Sequence, residues 1–106
     1  MSDEGTIRER IMNLLIKSES PLDVKEIAFL LEISPREADI IYEHLQHIAK
    51  TVKRSSGGKM QLVMQPPYCI SCGFIFKNLN RLRKPSRCPK CKSERITLPK
   101  FKIIMR

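Results

Sequence analysis

The chain has 106 residues, so it holds one domain or two very small ones. With 42% hydrophobic and 29% charged residues it has a globular composition, not a disordered one, and no apolar run approaches the roughly 18 residues needed to cross a bilayer. The formal net charge of +9 points to an anionic partner. That charge is unevenly placed. Residues 1–48 carry five Lys or Arg against ten Asp or Glu, whereas residues 49–106 carry fifteen against one acid, Glu94. A split this sharp predicts two surfaces with different tasks. The start, Met1-Ser2-Asp3-Glu4-Gly5, lacks the basic and apolar regions of a secretory signal, so a cytoplasmic protein without membrane association is expected.

Three helices are predicted from caps and periodicity. Thr6 with Glu9 forms a capping box, and Ile7, Ile11, Leu14 and Leu15 follow at helical spacing, to about Lys17 or Ser18. Pro21 stops that helix. Asp23 with Glu26 opens a second, short helix that buries Val24, Ile27, Ala28 and Leu31 and ends near Glu32. Ser34, with Pro35 at the first helical position and Glu37 completing a box, opens the third. Its buried stripe is Ala38, Ile41, Tyr42, Leu45, Ile48, Ala49 and Val52, and it should end before Ser55-Ser56-Gly57-Gly58. Met60-Gln61-Leu62-Val63-Met64 then reads as a strand. Two capped helices joined by a short connection, with a helix before and a strand after, are the layout of a winged helix-turn-helix. Residues 6–65 resemble the winged helix-turn-helix domains of bacterial and archaeal transcription regulators. The resemblance is carried by Pro21-Leu22-Asp23-Val24-Lys25-Glu26-Ile27-Ala28, by Leu31-Glu32-Ile33-Ser34, and by Ile41, Leu45 and Ile48.

The second half holds four cysteines, Cys69, Cys72, Cys88 and Cys91, in a C-x2-C-x15-C-x2-C pattern. Two C-x-x-C pairs can bring four thiolates together on one ion, and this spacing reads as a structural zinc site with a single Zn2+. Two disulfides would suit a secreted protein, a redox C-x-x-C would need a thioredoxin-like context, and iron–sulfur clusters usually show other spacings. A mononuclear iron site uses the same four ligands and stays open at this point. Cys69-Ile70-Ser71-Cys72-Gly73 and Cys88-Pro89-Lys90-Cys91-Lys92 resemble the knuckles of rubredoxin-like zinc ribbons, the second departing from them at Lys92, where Gly is usual. Phe74-Ile75-Phe76 reads as a short strand, Asn78 and Asn80 as turn residues, and Arg95–Leu98 and Phe101–Met105 as strand-like stretches broken at Pro99. Residues 101–105 are expected to pair with 60–65.

Residues 6 to about 105 together resemble a small archaeal group of predicted transcription regulators, in which a winged helix is fused to a rubredoxin-like zinc ribbon. The resemblance implies an α+β fold: a three-helix winged helix-turn-helix over 6–65, completed by a wing strand over 96–106, with a four-cysteine zinc ribbon over 66–95 inserted at the wing. It also implies transcription regulation through DNA.

The outward face of the third helix, set by the buried stripe, is Arg36, Asp39, Ile40, Glu43, His47 and Lys50, with His44 at its edge. Two carboxylates match phosphates poorly, so Arg36, Ile40 and His47 are auxiliary contacts at most, and Ile40 fits a protein interface better. Phosphate contacts are instead expected from Lys50, Lys53, Arg54 and Lys59 around the Gly turn and from Lys77, Arg81, Arg83, Lys84, Arg87, Lys90 and Lys92 in the ribbon. Phe74 and Phe76 are expected to pack the ribbon's own core before they stack on bases. The expected function is a DNA-binding transcriptional regulator with duplex DNA as the first partner. The alternative is a protein- or RNA-binding adaptor in the transcription or RNA-processing machinery, and winged-helix regulators often dimerise. No enzyme is expected, since the sequence offers no nucleophile with a base, no Gly-rich phosphate loop and no open metal position.

Overall fold

The computed structural model describes residues 6–77 and 82–105. Its elements are helix α1 (Ile7–Lys17), helix α2 (Val24–Leu30), a 3-10 turn (Pro35–Glu37), helix α3 (Ala38–Ser55) and strands β1 (Met60–Gln65) and β2 (Lys100–Met105). This is a mixed α+β arrangement with the four cysteines lying between the two strands.

Local chemistry sets the helix starts. The Thr6 and Asp23 side chains each accept a hydrogen bond from the backbone amide of the Glu three residues on, and each Glu carboxylate accepts one from the cap residue's backbone amide, closing two capping boxes. Glu32 ends α2 in the left-handed region at φ 57°, and the Ile33 amide reaches back to the Ala28 carbonyl at 2.8 Å. That six-to-one bond is a Schellman closure with Glu in the position usually held by Gly. Arg10 reinforces the turn by donating to the Leu31 carbonyl at 2.9 Å.

The expected third capping box does not form. Pro35–Glu37 is a 3-10 turn, the Ser34 hydroxyl accepts from the Arg36 amide, and Glu37 precedes α3 without a side-chain cap. Ser34 is spent on the tight turn, so the α-helix starts three residues later than the box implied. At the other end, Ser56 joins helix to strand: its hydroxyl donates to the Val52 carbonyl and accepts from the Met60 amide, while Gly57 and Gly58 turn the chain at φ 66° and 86°.

β1 and β2 pair antiparallel with Met60 opposite Met105 and Gln65 opposite Lys100, in agreement with the pairing expected from the sequence. Phe101 and Ile103 of β2 enter the core formed by Ile11, Leu15, Ile27, Leu45 and Ile48. The Phe101 ring meets Tyr42 edge-on at 6.4 Å. Leu22 bridges to Phe101 by two backbone hydrogen bonds, which ties the entry of α2 to the sheet.

The strand expected to begin at residue 96 begins at Lys100. Ile96 belongs to the cysteine-bearing segment, where it is buried with Cys69, Phe76 and Cys88. No helix among the described residues is long and apolar enough to cross a membrane.

Candidate metal centre and nucleic-acid interface

The two cysteine knuckles are built alike. In the first, the Gly73 amide donates to the Cys69 carbonyl and the Cys69 amide to the Phe74 carbonyl, both at 2.8 Å. In the second, Lys92 donates to Cys88 at 2.9 Å and Cys88 to Ser93 at 2.8 Å. Each turn requires the left-handed region four residues after its first cysteine, at Gly73 (φ 83°) and at Lys92 (φ 66°). Glycine enters that region freely, whereas a residue with a Cβ gives up about 1–2 kcal/mol there. The departure at Lys92 thus changes the cost of the turn but not its geometry.

The knuckles bring the four sulfurs within 4.8 Å of one another, with Cys69–Cys91 at 3.5 Å and Cys72–Cys88 at 3.6 Å. Sulfurs on a tetrahedral zinc ion, at Zn–S of about 2.3 Å, stand about 3.8 Å apart. All four cysteines are free, Cys69 and Cys88 buried and Cys72 and Cys91 exposed. The Lys90 and Cys91 amides approach Cys88 Sγ at 3.3 and 3.5 Å. The donor set therefore fits one structural zinc, and four thiolates fill the tetrahedron and leave no position for substrate.

The electrostatics of the cluster fit a cation. Burial opposes ionisation of Cys69, but the Cys72 and Ser71 amides and the Cys91 and Cys72 thiols outweigh it and bring its pKa down to about 6. Cys91 goes the other way. The Ser93 amide favours its thiolate, yet burial and the neighbouring sulfurs push it up to about 12. Four negative sulfurs need a positive centre to coexist, and zinc supplies it.

The cations sort into free and engaged groups. Lys50, Lys53, Arg54 and Lys59, on and after the last turns of α3, are exposed, as are Lys77, Lys84, Arg87, Lys90 and Lys92 of the ribbon. Arg83 is engaged: it pairs with Asp39 at 3.0 Å and lies 5.7 Å from the centre of the Tyr42 ring. Arg87 lies 3.9 Å from Glu94. Arg81 lies outside the described residues. The Arg83 contact brings the loop after the first knuckle onto the start of α3, next to Arg36 and Ile40, which are exposed like His47. The Tyr42 hydroxyl beneath it is buried without a partner of hydrogen-bond geometry among the described residues; burial raises its pKa, and the Lys84 amide acts against that.

Phe74 and Phe76 pack edge-on at 5.1 Å in the ribbon core, as expected. The residues that sequence reasoning missed are their outward neighbours. Tyr68, Ile70 and Ile75 are 47%, 53% and 48% exposed. A signal existed: with Cys69 turned to the metal, alternation along an extended segment turns Tyr68 and Ile70 the other way.

Comparison with known proteins agrees with this arrangement. Residues 6–63 match the family described as PF0610-like, N-terminal, and residues 66–106 match the PF0610 rubredoxin-like zinc beta-ribbon domain. The solution NMR structure of protein PF0610 from Pyrococcus furiosus is 36% identical in sequence, with a TM-score of 0.75 over 100% of this chain and 95% of that one. No curated protein matches the chain. The three helices of this chain lie within the first match and its four converging cysteines within the second, and the chain belongs to the PF0610-like family with its rubredoxin-like zinc ribbon.

Proposed function

We propose that this is a DNA-binding transcriptional regulator of the cytoplasm, a winged helix-turn-helix whose wing carries the zinc ribbon, and that the ribbon and wing make most of the phosphate contacts. The observation that carries this reading is the contrast between two surfaces. The outward face of α3 presents Asp39 and Glu43, whereas Lys77, Lys84, Lys90 and Lys92 are exposed and stand in no ion pair among the described residues. Lys50, Lys53, Arg54 and Lys59 extend the basic surface to the start of β1. Arg83 further restrains the start of α3, the end that would lead into a major groove.

The test is a binding titration of zinc-loaded protein against a labelled duplex at several salt concentrations. Each phosphate neutralised contributes about −0.9 to the slope of log affinity on log salt. Replacing Lys84, Lys90 and Lys92 by Ala should weaken binding and flatten the slope by up to about 2.7 if each meets a phosphate. Replacing Arg36 and His47 should do less, and the opposite ordering would overturn the ribbon-first reading.

One observation favours a second reading, an adaptor that binds protein. Phe29 is 81% and Leu30 52% exposed, and Phe29 borders a groove of about 790 Å³ lined by Val24, Ala28, Ile33, Ala38 and Tyr42. Absence of binding to duplex and single strands at low salt would favour it.

A further inference from the structure

In the ribbon three extended stretches meet at two isolated β-bridges, and the two faces of this arrangement differ. Residues 67–70 form its centre. On one side Tyr68 opposes Ile75, with the Cys69 amide donating to the Phe74 carbonyl and the Phe76 amide to the Pro67 carbonyl. On the other, Cys69 opposes Ile96, with the Ile70 amide donating to the Arg95 carbonyl and the Thr97 amide to the Tyr68 carbonyl. Alternation then fixes the faces. Pro67, Cys69, Phe76 and Ile96 turn inward and are buried. Tyr68, Ile70 and Ile75 turn outward, each about half exposed, with Arg95 across from Ile70 and Lys77 two residues beyond Ile75. Arg95 and Lys77 are exposed and form no ion pair among the described residues.

We infer that this outer face of the ribbon is a platform for unpaired bases, so that the protein takes single-stranded nucleic acid as well as duplex. The inference rests on the reading of the ribbon as a nucleic-acid-binding surface and names the strand state that this surface selects. Two arguments carry it. First, the face is apolar and borders cations, and residues 66–106 contain eleven Lys or Arg against the single acid Glu94, which Arg87 already meets. The partner must therefore be anionic along its length while offering flat apolar surface. Second, a phosphate backbone alone would be met by cations and would leave Tyr68, Ile70 and Ile75 in water. A duplex hides its base faces by stacking, and only unpaired bases can lie on a tyrosine ring while their phosphates reach Arg95 and Lys77.

The test uses the zinc-loaded full chain with fluorescein-labelled twelve-residue oligothymidylate, oligouridylate and a duplex of the same length, at one moderate salt concentration. Tyr68→Ala should weaken binding to the single strands by about ten-fold, the lower part of the range for loss of one stacking contact. Tyr68→Phe should retain it, because the ring and not the hydroxyl carries the contact. Neither should change duplex affinity by more than about two-fold. Zinc content measured on each variant shows that the ribbon is intact, as expected for a side chain that is 47% exposed. If Tyr68→Ala matches the parent on both single strands while Arg95→Glu and Lys77→Glu weaken duplex binding, the platform is wrong and the DNA-binding reading stands. If the parent binds no nucleic acid of any kind, both fall together, and an acidic apolar protein partner replaces the nucleic acid.

Discussion

In the helical half and β2, Ile11, Leu15, Ile27, Leu45, Ile48 and Phe101 have no exposed surface and touch one shared core. The segment between β1 and β2 buries Phe76 and Ile96 and, beside them, two of its own cysteines. The first region can stabilise itself by removing apolar surface from water. The second is too small to do so, and its inward face is organised around sulfur. Its backbone fits the same division of labour, for each knuckle folds its amides back on nearby carbonyls, and the second also aims the Lys90 and Cys91 amides at Cys88 Sγ. The comparison leads to an expectation: the ribbon's surface, with its cations and exposed Tyr68, keeps its shape only while a metal holds the inner face.

The largest expected effect follows from that contrast. Structural zinc sites supply about 10–16 kcal/mol of apparent binding energy at neutral pH. Complete chelation should therefore collapse the amide spectrum of the ribbon residues to unfolded positions while those of α1, α2 and α3 persist. A spectrum unchanged after metal removal would refute the division. The converse cut is Leu45→Ala, which opens the helical core and should cost about 2–5 kcal/mol in denaturant unfolding. Zinc content should be kept by this variant, because Leu45 has no part in the ribbon cluster.

Smaller effects sharpen the comparison at matched positions. Lys92 in the ribbon and Glu32 after α2 both occupy the left-handed region without being glycine. Lys92→Gly should strengthen zinc retention against a competing chelator, and Glu32→Gly should raise the midpoint of helical unfolding, each by about 1 kcal/mol. The mirror change Gly73→Ala should weaken the ribbon by about 1–2 kcal/mol, since an added Cβ meets nothing within 4 Å and only the backbone strain acts. The smallest effect concerns His44, whose pKa is lowered from 6.5 by burial and by the charges of Arg8 and His47. The folded state prefers its neutral form, so stability is lost as the pH falls below 6.5, where the unfolded chain takes up the proton first. An NMR titration should place its midpoint below 6.5, and Arg8→Ala should move it up.

Much of this was legible in the sequence where the rule is local. Caps at Thr6 and Asp23, the stripe of α3 and the four ligands all depend on spacings of a few residues, and they stand where those spacings put them. The capping box of Ser34 with Glu37 does not form because two local rules compete for Ser34 and the tighter turn wins. Ile96 was assigned to the wing because strand propensity does not say which sheet a strand joins, and its bridge to Cys69 depends on where the metal knuckle lies. The Arg83–Asp39 pair joins residues 44 positions apart and leaves no trace in either segment. The outward turn of Tyr68 depends on a different rule: alternation along residues 67–70 shows its face only once Cys69 is known to point to the sulfur cluster.

Pro67 and Pro99 are fully buried at the two ends of the inserted segment, just beyond the paired ends Gln65 and Lys100. With the ribbon folded, β1 and β2 are joined by a compact, stiff bridge. With it unfolded, they are joined by a slack chain of residues 66–99, and closing so long a loop costs roughly 1–2 kcal/mol more than closing a short one. Phe101 and Ile103 reach the helical core only across that closure. Metal supply is therefore read, through chain entropy as well as through the contacts of Leu82, Leu98 and Arg83 with the helical unit, as a change in the stability of a core that lies apart from the four cysteines.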